Sequence, residues 1–236
     1  MNWIARLTRQ MIPAPCAICG LPSSSGHGLC PACAAQMRPE DTPVCPVCAL
    51  PTAAPGVVCP DCLRNPPPYD ATLAGKFFEP GVRHLIHALK YRHDTAVLNA
   101  LCAPLLQRIQ TAPVPTDAVL LPMPLHPSRL RTRGFNQAAL LADVLARHTG
   151  LRVMPQLVRR VRADAAQVTQ GASARRRALQ AAFQAAPRVP ERVIVVDDVM
   201  TTGSTVAAVA TTLKAAGAVW VGGWVVARTL NPSNTD

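Results

Sequence analysis

The sequence predicts an α/β domain preceded by a small cysteine-rich module. From residue 71 onward, apolar runs suited to buried strands alternate with segments of helical periodicity. The clearest strand is the run at 193–196, and apolar residues then recur at 206, 209, 210 and 213, the period of a helix with one buried face. Before residue 67, eight cysteines form four C-x-x-C pairs and large apolar residues are few.

The length and composition suit one α/β domain of ordinary size plus a small module. Of 236 residues, 49% are hydrophobic and 16% are charged, so the chain can bury a core. The net charge of +11 suits an anionic partner, either nucleic acid, a phosphorylated metabolite or a membrane surface. A basic, solvated surface without a dedicated partner is the alternative. Residues 1–10 do not resemble a secretory signal, and the apolar stretch at 218–226 is too short to cross a bilayer. We therefore expect a cytoplasmic protein without a membrane span.

The spacing C-x2-C-x10-C-x2-C occurs twice, offset by 29 residues, which indicates an internal duplication. Each C-x-x-C can direct two thiolates at one metal ion, so zinc is favoured over disulfides. The predicted ligands are Cys16, Cys19, Cys30, Cys33, Cys45, Cys48, Cys59 and Cys62. They would hold one or two structural zinc ions, and the spacing leaves the pairing of the knuckles open. The proline-rich stretch at 64–69 separates a module at 1–66 from a domain at 67–236.

The domain alternates predicted strands and helices. Strands are expected at 71–78, 118–122, 157–161, 193–196 and 218–227. Helices are expected at about 82–89, 95–109, 136–148 and 206–213. The polar face of the first helix carries Arg83, His84, His87 and Lys90, for which a solvated face is the favoured interpretation. Cys102 has no partner cysteine and is expected to be a buried thiol.

Asp197 and Asp198 follow the strand at 193–196, where that strand is expected to end. A small polar turn comes next, made of Thr201, Thr202, Gly203, Ser204 and Thr205. Backbone N–H groups at a helix N-terminus favour a phosphate, and adjacent carboxylates accept hydrogen bonds from sugar hydroxyls or hold hydrated Mg²⁺. Helix capping is the simpler alternative, but it needs only one such residue.

Two arginine-rich segments complete the candidate site. After Pro122, Arg129, Arg131 and Arg133 alternate along a segment that we expect to be extended, so that all three would face one way. A solvated loop is the alternative. The segment at 162–182 is arginine-rich, with little apolar periodicity, and is expected to be a mobile lid over the site.

The stretch R-V-I-V-V-D-D-V-M-T-T-G-S-T at 192–205 resembles the phosphoribosyl pyrophosphate (PRPP) motif of type I phosphoribosyltransferases. Across its whole length, the chain resembles the ComF family of competence-associated phosphoribosyltransferase-like proteins. The resemblance is carried by the C-x-x-C pairs, by H-A-L-K-Y at 87–91, by P-M-P-L-H-P-S-R-L-R-T-R-G-F-N-Q-A at 122–138 and by 195–205. The family's arginine-rich segment usually has Thr and Asn where this chain has Asp164 and Ala178.

The resemblance implies a type I phosphoribosyltransferase-like parallel sheet flanked by helices, with an N-terminal double zinc ribbon. Asp197 and Asp198 would bind the ribose hydroxyls of PRPP, and residues 201–205 would bind its 5′-phosphate. Arg129, Arg131 or Arg133 would neutralise the pyrophosphate, with Mg²⁺ bridging pyrophosphate and ribose oxygens. Arg133, Asp197 and Asp198 form the candidate catalytic set. The family is also linked to uptake of single-stranded DNA, beside a helicase-like partner.

Two hypotheses about function follow from these features. The chain is either an active phosphoribosyltransferase with a nucleotide-related or DNA acceptor, or a PRPP-gated DNA-binding adaptor without turnover. A third and weaker interpretation is a transcription factor that uses its zinc knuckles on DNA. The knuckle loops at 21–28 and 50–57 contain no Arg or Lys, which argues against phosphate contacts there.

Overall fold

The computed structural model describes residues 15–23, 28–37, 39, 41–162, 179 and 181–230. The strands in these residues are β1 (Ala71–Phe77), β2 (Val119–Pro122), β3 (Arg152–Val153), β4 (Val158–Arg160), β5 (Phe183–Ala185), β6 (Arg192–Met200) and β7 (Trp220–Arg228). Five of them form a parallel sheet in the order β1-β7-β6-β2-β3. The other two, β4 and β5, form a separate antiparallel pair.

Seven α-helices lie in the described residues. They are α1 (Pro31–Gln36), α2 (Pro60–Arg64), α3 (Pro80–Arg92), α4 (Leu98–Thr111), α5 (Pro127–Arg133), α6 (Gln137–Thr149) and α7 (Ser204–Ala215). Two short 3₁₀ turns, Thr95–Val97 and Pro155–Leu157, precede α4 and β4. None of the helices in the described part of the chain is long and apolar enough to cross a membrane.

The central strand β6 is buried on both faces, as its run of β-branched residues predicts. Ile194 and Val196 join the apolar cluster formed with α3, α4 and α6. Val193 and Val195 join the second cluster, which contains the buried side of α7. Alternate residues of one strand thus supply two cores, and the parallel α/β architecture confirms the predicted fold class.

The two ribbons of the N-terminal module repeat the same backbone contacts. Cys16 N–H donates to Leu21 O over 2.7 Å, and Cys45 N–H donates to Leu50 O over 2.8 Å. The antiparallel bridges Pro15↔Pro22 and Val44↔Pro51 are equivalent in the two copies. In each copy a short helix, α1 or α2, begins with a proline after a cysteine. These repeated features are those expected of an internal duplication.

Two local expectations were wrong, and two short strands were missed. Strand β6 runs to Met200, so Asp197 and Asp198 lie within the strand, because its pairing with β7 continues to Met200↔Arg228. The segment after Pro122 is helical over α5, with Pro127 in its first turn and Gly134 as its left-handed C-cap at φ 78°. The short strands β3 and β5 were not predicted.

Candidate functional site

The eight predicted zinc ligands form two separate groups of four cysteines. Cys16, Cys19, Cys30 and Cys33 form the first site, and Cys45, Cys48, Cys59 and Cys62 form the second. Within each group all four sulfur atoms lie within 4.8 Å of one another, and none of these eight cysteines is in a disulfide. The first C-x-x-C pair therefore shares a site with the second, and the third shares a site with the fourth. The spacing alone had left this pairing open.

The sulfur geometry fits zinc. The Sγ atoms of Cys19 and Cys30 are 3.7 Å apart, and those of Cys48 and Cys59 are 3.6 Å apart. Four thiolates at about 2.3 Å from a tetrahedral zinc ion stand about 3.8 Å from each other. Both groups are thus consistent with closed, structural zinc sites that have no open position for catalysis.

One thiol in each site is prepared for ionisation. Burial raises the pKa of Cys16, but backbone N–H groups of Cys19, Cys30 and Ile18 outweigh it and lower that pKa to about 6. In the second site, burial raises the pKa of Cys45, but backbone N–H groups of Cys59, Cys48 and Val47 outweigh it and lower that pKa to about 7. In the same two sites, burial raises the pKa of Cys33 and of Cys62, so the two ribbons show the same pattern.

The acid pair lies at the carboxyl end of the central strand. Asp198 is buried, with 4% of its surface exposed, and Asp197 is half-buried. Lys90 of α3 forms an ion pair with Asp198, between Nζ and Oδ2. Burial, and next the negative charge of Asp198, raise the pKa of Asp197 well above its ordinary value. Lys90 therefore compensates one of the two carboxylates, and the other favours its neutral form.

The Thr/Gly loop, residues 201–205, connects the acid pair directly to the N-terminus of α7. Gly203 is the N-cap residue of α7 and has φ 77°, in the left-handed region. The hydroxyls of Thr202 and Ser204 hydrogen-bond each other, and Ser204 N–H donates to Thr202 Oγ1 over 3.3 Å. Small side chains, a glycine and the N-terminus of a twelve-residue helix thus meet beside two carboxylates.

Helix α5 begins at the same edge of the sheet. The segment that leaves β2 is held beside β6, because Met123 N–H donates to Val196 O over 2.8 Å. Asn136 Nδ2 donates to Met123 O over 3.0 Å and anchors the far end of the same segment. The segment that leads into α5 therefore starts beside Val196, the residue that precedes Asp197.

The three predicted phosphate-binding arginines do not all face one way, because they lie on a helix. Arg129 and Arg133 are four residues apart and share one side of α5, whereas Arg131 points about 160° away from Arg133. Arg133 is half-buried, and its Nη1 donates to the buried Gln137 Oε1 over 2.7 Å. Arg129 and Arg131 are exposed. The expectation of a single arginine face was wrong, since alternation is a strand period.

A cleft of about 480 Å³ adjoins this segment. Its walls are Pro124, Leu125 and Pro127 on one side and Pro155, Val158 and Val161 on the other. His126, Asn136, Arg159 and Arg160 add polar groups. Residues 163–178 and 180, which contain most of the predicted lid and its arginines Arg175, Arg176 and Arg177, lie outside the described residues.

Sequence reasoning missed two residues of the site. Lys90 was assigned to the solvated face of α3, although it lies in H-A-L-K-Y, one of the motifs that carry the family resemblance. Arg228 was not predicted, yet its buried guanidinium donates to the carbonyl oxygens of Met200 and Thr201 at the start of the Thr/Gly loop. A basic residue at the end of a buried strand was the only local signal for Arg228.

Comparison with known proteins identifies a family for the N-terminal module and relatives of the chain. Residues 7–63 match the double zinc ribbon domain family. The chain is 36% identical over 225 residues to DNA utilization protein YhgH of Salmonella typhi, which covers 93% of this chain and 99% of that protein. The protein of the same name from Escherichia coli (strain K12) gives the same identity and coverage. Competence protein F of Haemophilus influenzae is 30% identical over 164 residues, or 66% of this chain and 71% of that protein.

The fold and the cysteine sites define an α/β protein with a parallel sheet and an N-terminal pair of zinc ribbons. The similarity to these relatives shows more closely which protein of that class it is: the chain belongs to the ComF family.

Proposed function

We propose that this chain binds PRPP at the carboxyl end of β6 and acts in the use of DNA taken up by the cell. In this proposal it is a phosphoribosyltransferase whose acceptor is nucleotide-related or single-stranded DNA. The proposal has two halves, PRPP binding and a role with DNA. The observation that supports PRPP binding is that three features succeed one another along the chain. The acid pair at the end of β6, the Thr/Gly loop and the N-terminus of α7 all lie within nine consecutive residues, 197–205.

Each feature matches one part of the ligand. The carboxylates of Asp197 and Asp198 would accept hydrogen bonds from two ribose hydroxyls. The Thr/Gly loop, through Thr201, Thr202, Gly203, Ser204 and Thr205, would surround the 5′-phosphate with hydroxyl and N–H donors. Mg²⁺ would supply charge for the pyrophosphate, which fits a site that already presents carboxylate oxygens.

The basic groups on α5 would assist the departure of pyrophosphate. Arg133 would act with Asp197 and Asp198 as the catalytic set, and Arg129 and Arg131 would attract the pyrophosphate as it enters and leaves. The cleft of about 480 Å³ beside α5 offers a place for the acceptor, with apolar walls for a base and arginines for a phosphate. The protein would then work by charge placement and water exclusion, without a covalent nucleophile.

The DNA half rests on the relatives and on charge. Two of the relatives are named for DNA utilization and one for competence. The net charge of +11 suits a polyanion. The family resemblance adds a helicase-like partner to this proposal. The cytoplasmic location, and the division into units at 1–66 and 67–236, come from the sequence reasoning and are part of the proposal as well.

Calorimetric titration of PRPP with Mg²⁺ tests the first half. We expect saturable binding, and we expect Asp197→Asn combined with Asp198→Asn to abolish it while salt-dependent DNA binding persists. Asp117→Asn is the control, because this exposed carboxylate does not belong to the acid pair. It forms an ion pair with Arg192, with 2.7 Å between Nη1 and Oδ1. Undiminished PRPP binding by the double variant would refute the assignment of the site.

A PRPP-gated adaptor without turnover is the second candidate function. It is favoured by the closed four-thiolate sites, which serve binding or structure and not catalysis. Release of pyrophosphate from PRPP in the presence of free bases or single-stranded DNA separates the two candidates. Turnover that Arg133→Ala abolishes supports the transferase, whereas tight binding without release supports the adaptor.

A further inference from the structure

Helix α3 exposes a face that is both basic and aromatic. Arg83, His84, His87, Lys90 and Tyr91 fall within an arc of about 120° when plotted at 100° per residue. We refer to these five residues as the α3 surface. The aliphatic residues Val82, Leu85, Ile86 and Leu89 of the same helix are buried on the opposite side.

Rings are accessible along this surface and at its end. Tyr91 is 67% exposed, and its ring lies 5.2 Å from the ring of His87 at an angle of 56°. One residue beyond the helix, the ring of His93 lies 5.1 Å from that of Phe135, edge to face. Aromatic faces in such positions can stack with unpaired bases.

Helix α3 itself carries no acidic residue. From residue 80 to residue 93 there is no Asp or Glu. Of the acids that flank the helix, Glu79 faces Lys76 at 3.6 Å, and Asp94 accepts from Ala96 N–H over 3.0 Å. Arg92 lies outside the arc, 180° from Arg83 in the same plot, but its Nη2 contacts His84 Nε2 over 3.3 Å, which brings its charge to the edge of the surface. Because Lys90 is paired with Asp198, the positive charge that this surface offers a polyanion comes from the exposed Arg83 and Arg92.

The α3 surface borders the candidate site. Lys90, at one edge of the arc, forms the ion pair with Asp198. A chain of nucleotides that lay along α3 would consequently pass the acid pair.

We propose that the α3 surface binds single-stranded nucleic acid, with phosphates on Arg83 and Arg92 and bases stacked on Tyr91 and His87. This inference rests on the DNA half of the proposed function and gives it a location. Base stacking requires unpaired bases, which favours a single strand over a duplex. An anionic membrane fits less well, because α3 buries its aliphatic residues and has no apolar face to insert.

Fluorescence anisotropy with a labelled oligothymidine tests the surface. We expect Arg83→Ala combined with Arg92→Ala to weaken binding at least about tenfold. The same change should reduce the slope of log K against log salt by about 1.4, or about 0.7 for each phosphate that the protein no longer neutralises. Tyr91→Ala should weaken binding by about tenfold, whereas Tyr91→Phe should retain it, because the ring face and not the hydroxyl stacks.

The controls separate this inference from the proposed function. Arg152→Ala combined with Arg188→Ala removes the same charge from exposed positions on β3 and in the segment before β6. Equal weakening in the two double variants would overturn the α3 surface but leave DNA binding intact. Failure of the unaltered protein to bind the oligonucleotide would overturn both nucleic-acid binding by the α3 surface and the proposed role with DNA. PRPP binding would still be tested separately by the calorimetric titration. Binding to phosphatidylserine vesicles but not to the oligonucleotide would also overturn it.

A second inference comes from an independent feature, the buried arginine at the end of β7. Arg228 is only 4% exposed, and burial lowers the pKa of its guanidinium. Nε donates to Cys48 O over 2.8 Å. The two N–H groups of Nη1 are shared among three carbonyl oxygens, those of Met200 at 3.0 Å, Thr229 at 2.8 Å and Thr201. One side chain thus connects the second zinc knuckle to the Thr/Gly loop.

We infer that the second zinc site holds the Thr/Gly loop in place through Arg228. Burying a guanidinium is costly unless its donors are satisfied, so these carbonyl oxygens must stay near one another. Cys48 contributes both a zinc-binding sulfur and one of these carbonyl oxygens. Loss of metal from the second site would therefore release one anchor of the loop. The first zinc site has no such contact with Arg228 among the described residues.

Hydrogen–deuterium exchange of the full chain tests this link without PRPP. We expect each of two single variants, Cys45→Ser and Arg228→Met, to accelerate amide exchange in peptides covering 201–206 at least about tenfold. This factor corresponds to about 1.4 kcal/mol of local stability. Cys16→Ser, the equivalent change in the first ribbon, should leave those peptides unchanged. Arg228→Lys offers a milder variant if Arg228→Met does not fold. Equal exchange in the Cys45→Ser and Cys16→Ser proteins would overturn the link, whatever the ligand of the loop proves to be.

Discussion

At the scale of single residues, Lys90 changes the chemistry of the acid pair most. Two adjacent carboxylates with no cation nearby would repel an anionic ligand. The ion pair between Lys90 and Asp198 removes one of these charges, and burial favours the neutral form of Asp197. The negative charge beside the Thr/Gly loop is thereby reduced, which would favour the phosphorylated ligand of the proposed function.

We predict that Lys90→Met weakens PRPP binding about tenfold, because an uncompensated carboxylate then faces the ligand. Lys90→Arg should retain most of the affinity, since it keeps the charge. Calorimetric titration measures both. Lys214→Met is the control, because Lys214 pairs with Asp70 over 2.9 Å elsewhere on the chain. Equal affinities for the Lys90→Met and Lys214→Met proteins would contradict this role.

Gly203 is the residue that the Thr/Gly loop can least replace. A Cβ atom added there would lie 2.6 Å from Met200 Cε and 2.8 Å from Tyr69 Oη. Gly150 has almost the same backbone, with φ 75° against 77°, but an added Cβ would meet nothing within 4 Å. Substitution of Gly150 by alanine therefore reports the cost of the left-handed backbone alone. Substitution of Gly203 reports that cost plus the steric clash of the added Cβ atom.

We predict that Gly150→Ala costs about 1 kcal/mol of unfolding free energy, the usual cost of a left-handed residue. Gly203→Ala should cost clearly more, about 2–3 kcal/mol, because the side chains of Met200 and Tyr69 must also move. Chemical denaturation of both variants gives the comparison. Similar destabilisation of the two proteins would show that the loop accommodates a side chain.

At the scale of elements, each zinc ribbon is a self-contained metal site. The two ribbons repeat the same knuckle and the same short helix, and their sulfur atoms form two separate groups. The second copy has Ala49 with φ 58° at the position of Gly20 with φ 75° in the first. The duplication thus kept the left-handed turn even where the glycine is absent.

We predict two zinc ions per chain, and one after Cys16→Ser combined with Cys19→Ser or after Cys45→Ser combined with Cys48→Ser. Each pair of changes removes half of one tetrahedral site and none of the other. Native mass spectrometry counts the metals. Cys102→Ala is the control, because this buried thiol belongs to neither group and should leave two ions bound. Loss of both ions in either double variant would contradict independent sites.

At the scale of the whole molecule, the ribbons and the sheet share their cores. Cys30, Cys33 and Met37 belong to the same apolar cluster as Leu85 and Leu89 of α3. Ala49 of the second ribbon belongs to the cluster that contains Tyr69 and Val225. Lys76 of β1 donates to Gln36 O over 2.7 Å, and Thr72 N–H donates to Pro46 O over 3.0 Å. The ribbons and the sheet thus pack against each other and share hydrogen bonds.

We predict that chelation of zinc from the full chain lowers its unfolding temperature by more than about 10 °C, in one cooperative transition. Far-UV circular dichroism follows mainly the helices that flank the sheet, because α1 and α2 contain only 6 and 5 residues. Chelator already saturated with zinc is the control. An unchanged transition after chelation would show that the sheet is independent of the ribbons.

Much of this architecture was predicted from local patterns. Four C-x-x-C pairs identify the zinc ligands because two cysteines at that spacing reach one ion within a single knuckle. The run of β-branched residues identifies β6, and Asn136 and Gly150 mark the ends of α6 as its N-cap and C-cap. The exception was α5, where alternating arginines suggested an extended segment. Pro127 at the start and Gly134 at the end were the better guides, because they act on the backbone itself.

The sequence by itself determined the metal ligands, the central strand and the Thr/Gly loop, since each depends on residues only a few positions apart. The tertiary structure alone decided how the knuckles pair, that Lys90 meets Asp198 and that Arg228 reaches Cys48, 180 positions away. These contacts depend on which strands and helices become neighbours, and that order follows from burying two cores on one sheet. A lysine on a helix and an arginine at a strand end have no local signal for such partners.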